Sequence, residues 1–298
     1  MTTMIWRLSH RADPFRIEGP ACVSFSGGRT SAYMLRRILD AWGGTLPEDV
    51  IVCFANTGKE MPQTLDFVNE CSKRWGVEIV WLEYRSKNCD GEKQSAHVTY
   101  ETASREGEPY EALIRDRRYL PNPVSRFCTT ELKIRPMHWY LRALGWEAWD
   151  QCIGLRHDEQ RRVAKIRARG RSTESAKETM VMPLVEAGVT KHDVAAFWRA
   201  SAFDLQLPNN DGTTPLGNCD LCFLKGATRI TSILRERPEL GEWWARMEEE
   251  VSAGFGVSGL GGRFRSDRPT YRMMIDQVKN QRTIFDNDEP IGDCFCVD

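Results

Sequence analysis

The stretch Ala21-Cys-Val-Ser-Phe-Ser26-Gly27-Gly28-Arg29-Thr30-Ser31-Ala-Tyr-Met-Leu35 leaves few folds open. A short apolar run with a β-branched residue passes without a spacer into Ser-Gly-Gly. A helix-compatible pattern through Met34, Leu35, Ile38 and Leu39 follows, so the segment reads as strand, tight turn, helix. Two glycines let the backbone turn sharply and approach a ligand closely. Ser26, Thr30 and Ser31 place hydroxyls and N–H groups at the positive end of the new helix, which suits phosphate. The loop lacks the Gly-Lys-Ser/Thr ending of a Walker loop and the third glycine of a dinucleotide fingerprint. The plain alternative is a strand-to-helix turn with no ligand.

The chain has 298 residues, enough for one large α/β domain or one such domain with a smaller appendage. Hydrophobic residues at 41% and charged residues at 28% are ordinary for a globular protein and argue against global disorder. The formal net charge of −1 confines any nucleic-acid surface to a local patch. Met1 to Arg16 has no continuous apolar core and no run elsewhere is long enough to span a membrane, so a cytoplasmic protein is expected, with no membrane partner. In a reducing compartment, clustering among its ten cysteines points to metal or redox chemistry rather than disulfides.

Along the chain, strands are expected at 49–55, 77–82, 148–153 and 181–184. Helices are expected at 62–75, from Thr129 or Thr130 to about Leu144, at 191–201 capped by Thr190, and near 271–281. Strands alternating with helices imply right-handed crossovers and a parallel sheet, with a binding crevice beyond the strands' carboxyl ends. Residues 85–127 lose periodicity and read as a lid-like excursion, with a short helix around Tyr110 to Arg117. A soft boundary near Ala187 separates a nucleotide-binding domain, 1–187, from a C-terminal helical segment, 188–298.

Cys219-x-x-Cys222 lets two thiolates converge on one metal, serving zinc, clusters and redox disulfides equally well. Cys128 heads a predicted helix, where a thiolate is favoured, and Cys294 and Cys296 end a tail that the glycines from Gly254 to Gly262 could fold back. A closed zinc site is the bland reading of Cys128, Cys219 and Cys222. The run Arg161, Arg162, Lys165, Arg167, Arg169 and Arg171 suits a nucleic-acid backbone or a solvated charged helix. Cys22, Cys53, Cys71 and Cys152 read as buried core; His10, His97, His138 and His192 show no ligand spacing.

Four segments together resemble one superfamily. Ser26, Gly27, Gly28 and Ser31 fit the Ser-Gly-Gly-x-Asp-Ser pyrophosphate loop of ATP pyrophosphatases and phosphoadenosine phosphosulfate reductases, with Thr30 where Asp is usual. Asn56-Thr57-Gly58 resembles the Asn-Thr-Gly that helps enclose the nucleotide after the second strand of the reductases. Cys128, Lys133 and Pro136 resemble the Cys-Cys-x-x-x-Lys-x-x-Pro segment of the cluster-bearing reductases, and Cys219-x-x-Cys222 their later pair. Gly154-x-Arg156-x-x-Glu159-x-x-Arg162 is similar to a further motif whose arginines and glutamate face the nucleotide or its pyrophosphate.

The resemblance, from about Ala21 to Leu224, implies an α/β, Rossmann-like parallel sheet of the adenine nucleotide α-hydrolase-like type with a C-terminal helical segment. It implies adenine-nucleotide contacts at Ser26, Gly27, Gly28, Arg29, Thr30, Ser31, Asn56, Thr57, Gly58, Arg156, Glu159 and Arg162. It also implies a [4Fe-4S] cluster on Cys128, Cys219 and Cys222, with Cys294 or Cys296 in place of the cysteine that Phe127 replaces. The expected function is ATP-dependent, adenylating sulfur transfer to a substrate such as tRNA or DNA, fed by a sulfur donor protein. Lys133 and Arg156 would stabilise developing charge, and Mg is a further candidate ion. The alternative is a sulfonucleotide reductase acting on an adenylyl sulfate with Cys294 or Cys296 as nucleophile, and beyond it a non-catalytic zinc-stapled nucleotide or nucleic-acid binding module.

Overall fold

The structure is a computed structural model that describes residues 13–86, 94–169, 178–210, 212–255 and 262–280. Its apolar runs near the amino terminus become adjacent strands of one sheet: β1 (Ala21–Ser24), β2 (Val50–Asn56) and β3 (Ile79–Arg85). β4 (Gln94–Val98), β5 (Trp149–Cys152) and β6 (Glu178–Val181) complete the six-stranded order β4-β3-β2-β1-β5-β6. All neighbours are parallel except β4, which runs antiparallel to β3 at one edge. The sequence did not announce this strand, because Gln-Ser-Ala-His-Val lacks the continuous apolar run of a strand buried on both faces. The order reverses at β1, which has β2 on one side and β5 on the other. That switch point opens a crevice beyond the strand ends, where the Ser-Gly-Gly loop leaves β1.

The sheet separates its side chains by strict alternation. Val23, Val52, Phe54 and Trp81 face α1 (Arg29–Ala41) and α2 (Pro62–Trp75); Cys22, Cys53, Ala55, Val80 and Leu82 face Met137 and Leu141 of α4 (Arg135–Ala143). α1 buries Met34, Leu35, Ile38 and Leu39, as its spacing requires, and α2 begins on Pro62 and ends at Gly76 with φ 62°. α3 (Glu108–Arg117) falls within the expected excursion. Between α3 and α4 the chain winds as a π-helix over Thr129–Ile134, with Cys128 already helical at φ −58° and ψ −38°, so neither Thr129 nor Thr130 is the cap.

α5 (Gln160–Arg169) and α6 (Pro183–Glu186) flank β6; then α7 (Lys191–Ala200) begins at Thr190, whose backbone N–H and hydroxyl both donate to Asp193 at 2.8 and 2.7 Å. α7 packs on α1, with the Tyr33 and Phe197 rings 5.2 Å apart. α8 (Ala227–Glu236), α9 (Gly241–Glu250) and α10 (Tyr271–Lys279) gather around Trp244, whose ring meets Tyr110, Phe264 and Tyr271. One hydrophobic cluster therefore runs across Ala187, from the strands to the C-terminal helices. No helix among the described residues is long and apolar enough to cross a membrane.

Gly27 locks the first loop onto α2. Its φ is +78°, and a Cβ there would lie 2.6 Å from Thr64 Cγ2, whereas at Gly76 a Cβ would meet nothing within 4 Å. Gly76→Ala bears only the left-handed penalty, about 1 kcal/mol, and Gly27→Ala is expected to cost at least about 1 kcal/mol more from the clash, read as the difference in urea unfolding free energy.

Candidate functional site

Ser31 shapes the phosphate loop. Its Oγ accepts from the Ser26 backbone N–H at 3.1 Å, lies 2.9 Å from the Ser26 hydroxyl and donates to the Gly28 carbonyl at 3.0 Å. The first turn of α1 carries no acidic residue and its Gly28 cap has no side chain, which leaves the N-terminal amides directed at the crevice. A small cavity of about 30 Å³ lies against this loop, with Arg156 and Lys191 among its walls.

Arg29 takes a different role from its neighbours. Its guanidinium is buried and forks onto Asp204 through two 2.7 Å bonds, while also donating to the Leu207 carbonyl at 2.9 Å and the Thr214 hydroxyl at 3.1 Å. It ties the loop to the segment after α7, an arrangement invisible in the sequence because Asp204 lies 175 residues away. Arg156 reaches back to α1 and donates to Thr30 Oγ1 at 3.1 Å. Its position is held by Glu159, which accepts from the Arg156 backbone N–H at 2.9 Å and pairs with Arg162. Gly154 lets this segment pass close to α1, since a Cβ there would sit 3.3 Å from Ser31 Cα.

Asn56-Thr57-Gly58 turns inward. The Asn56 amide donates to Glu83 at 2.7 Å and to the Ser104 carbonyl at 2.8 Å, so its side chain shapes the turn. Thr57 donates to Glu60 through backbone and hydroxyl at 2.9 and 2.8 Å, and its hydroxyl lies 3.5 Å from Cys219 Sγ. Lys133 joins the same group, 3.9 Å from Glu60 and donating to Asn218 at 3.3 Å.

The Cys219–Cys222 turn is fixed from beneath. The buried Lys225 ammonium donates to the carbonyls of Gly217, Cys219 and Asp220 at 2.9, 2.7 and 2.9 Å, and the Tyr271 hydroxyl donates to the Leu221 carbonyl at 2.6 Å. Asp220 pairs with Lys59 at 3.1 Å and accepts from the Trp244 indole at 2.8 Å. Cys128 reaches the same place from the other side. The Tyr110 phenol is raised well above the usual tyrosine range by burial first, then by the thiols of Cys128, Cys219 and Cys222 around it. Three thiols from two segments thus bear on one buried phenol, Cys128 half-buried and Cys219 and Cys222 buried, and as donors they suit an iron–sulfur cluster or zinc. Among the described residues no three Cys, His, Asp or Glu side chains form a ready metal site, and Cys294 and Cys296 lie outside the described residues, as does Cys89.

A larger cavity of about 370 Å³ runs from Ser24 and Ser26 along the sheet between α4 and α5. Arg126, Lys133, Arg162, Lys165 and Arg169 line it, with Glu178 as the one carboxylate among its lining residues. Along its floor the Trp149 indole donates to Gln151 at 3.1 Å, and the Gln151 amide donates to Ser24 at 2.7 Å. The sequence carries no sign of Gln151 and Glu178 beyond polarity inside or beside predicted strands, and His138, set aside for want of ligand spacing, lines the same cavity.

Lys225→Met strips three buried carbonyls of their donors and is expected to destabilise the protein by about 2–4 kcal/mol. The variant should show a lower urea midpoint and faster labelling of Cys219 and Cys222 by a thiol reagent.

Residues 20–207 match the family described as the phosphoadenosine phosphosulfate reductase domain. The chain is 30% identical over 242 residues to the uncharacterized nin region protein ORF290 of Escherichia phage lambda, covering 79% of this chain and 75% of that one. It is 25% identical over 237 residues to the uncharacterized protein MJ0066 of Methanocaldococcus jannaschii, covering 80% of this chain but only 43% of that protein's length. Among solved structures, phosphoadenylyl-sulfate reductase from Candida auris, a phosphate complex, is similar at TM-score 0.38 and 17% identity, over 63% of this chain and 78% of that one. With its α/β sheet, its loop at the switch point and a family match over more than half its length, the chain belongs to the phosphoadenosine phosphosulfate reductase domain family.

Proposed function

We propose that the chain binds an adenine nucleotide with its phosphates on the Ser26–Ser31 loop and catalyses ATP-dependent, adenylating sulfur transfer. The observation that carries this reading is the position of Lys133. It lines the large cavity together with Ser26, and it donates to Asn218 beside the Cys219–Cys222 turn. A charged donor therefore bridges the phosphate end and the thiol end. In the adenylation step a substrate oxygen forms a bond to the α-phosphorus, the bond to the β-phosphate oxygen breaks, and pyrophosphate leaves with the electron pair. Loop amides, Lys133 and Arg156 stabilise the charge that develops.

Cys128, Cys219 and Cys222 would hold the [4Fe-4S] cluster, with a fourth ligand from Cys294 or Cys296; when bound, it supplies sulfide or electrons to the activated substrate. α5 favours a nucleic-acid acceptor. It carries five basic residues and no acidic one; Arg161, Lys165, Arg167 and Arg169 are exposed, and Lys165 and Arg169 also line the cavity. The family match equally favours a sulfonucleotide reductase, which would use the same loop to hold an adenylyl sulfate and release sulfite.

Release of AMP and pyrophosphate from ATP should depend on acceptor and fall by about 100-fold in Lys133→Ala, the usual loss of one preorganised charge-stabilising donor. Sulfite release from adenylyl sulfate with a thiol donor, and no acceptor-dependent AMP, would establish the reductase instead. Neither activity would leave the binding module. After anaerobic purification, about four irons and four sulfides per chain are expected, falling in Cys128→Ala; one zinc and no iron would remove the cluster from both enzymatic readings.

A further inference from the structure

The lining of the large cavity includes a carboxylate that neither the Ser26–Ser31 loop nor the Cys219–Cys222 turn uses. Glu178, the first residue of β6, is only 3% exposed and is paired in register with Trp149 of β5. Both residues line the cavity. Glu178 Oε1 accepts no hydrogen bond from any described residue, although His138 Nε2 stands 3.1 Å away at ion-pair distance. The His138 ring in turn lies 5.1 Å from that of Trp149. Nearby polar groups on the floor are matched to one another, Trp149 to Gln151 and Gln151 to Ser24. Beyond that His138 contact, a buried carboxylate oxygen in the cavity lining keeps acceptor capacity for a further donor, which a ligand can supply.

We propose that Glu178, braced by His138, reads the base of the bound nucleotide by accepting a hydrogen bond from the exocyclic amino group of adenine. This deepens the nucleotide reading above and rests on it. Charge sets the direction of the ligand. Phosphates are drawn to the loop and to Lys133, and the Glu178 carboxylate repels them from the other end, so the neutral base enters there. Shape agrees, because Trp149, Met137, Met180 and Ile166 offer flat and apolar walls to a heterocycle. A carboxylate only accepts, so it binds a 6-amino edge and rejects the 6-oxo edge of hypoxanthine.

The test is equilibrium binding of ATP, ITP and N6,N6-dimethyl-ATP to the wild type and to Glu178→Gln. Wild type should prefer ATP over both analogues by at least about tenfold, the range of one charge-assisted hydrogen bond. In Glu178→Gln the ATP-to-ITP ratio should fall to about one, because a carboxamide both accepts from an amino group and donates to an oxo group. An unchanged ratio in the variant overturns the assignment. The wild-type comparison stands without the variant: equal binding of the three nucleotides overturns base reading by Glu178 and leaves the phosphate site in place. Failure of the wild type to bind any of the three, or adenylyl sulfate, overturns the nucleotide reading as well.

Discussion

The buried pair Lys59–Asp220 is the joint on which the two ends of the site depend. The loop after β2 and the Cys219–Cys222 turn are far apart in sequence, yet Lys59 Nζ lies 3.1 Å from Asp220, the Asp220 N–H donates to the Lys59 carbonyl at 2.8 Å, and Glu60 and Cys219 form a β-bridge. Both charged side chains are nearly excluded from solvent. Such a pair adds little net stability over an apolar substitute, but losing one partner strands the other charge at about 3–5 kcal/mol. Its value is positional. The Trp244 indole fixes the second Asp220 oxygen, so α9 helps set the position of the Cys219–Cys222 turn against the loop after β2.

Arg29 repeats that logic at the opposite side of the phosphate loop. An arginine in the first turn of a phosphate-binding helix invites the reading that it contacts the anion. Here its two-pronged bond to Asp204 and its further bonds to Leu207 and Thr214 satisfy a buried guanidinium internally. The side chain thereby ties Asp204, Leu207 and Thr214 to the loop, and Lys191 and Arg156 stand with it in the lining of the small cavity. Trp198, donating to the Arg29 carbonyl at 2.9 Å, fastens α7 to the same point.

What was legible in the sequence was local. Ser-Gly-Gly between an apolar run and a helical pattern yields β1, the loop and α1, and Pro62 with Gly76 bounds α2, because each signal acts within a few residues. The resemblance between motifs grouped Cys128 with Cys219 and Cys222 as expected cluster ligands; that all three act on the Tyr110 phenol follows from tertiary packing that no spacing encodes. β4 went unseen because an edge strand needs only half its residues apolar. Glu178 went unseen because a glutamate opening a short strand looks like a solvent-facing residue until β6 is docked against β5 and α4 is laid over both.

The charges around the large cavity also explain why one face of the sheet, rather than the strand ends alone, is used. α4 covers β5 and β6 through His138, and α5 closes the other wall of the cavity, with Val163 buried and Arg162, Lys165 and Arg169 along the lining. The cavity's cations come from α5 and from the Arg126–Lys133 segment, while the one carboxylate among its lining residues opens β6 beside Trp149, at the strand ends away from Ser26. In a low-dielectric cleft that separation gives a field gradient along the cavity, and field lines confined by apolar walls act over longer distances than in water. A ligand with anionic and neutral ends is then oriented before any single hydrogen bond forms. The Ser26–Ser31 loop, with Gly27, Arg29, Thr30 and Ser31 buried, then needs only to receive the anionic end of a ligand that the cavity has already oriented.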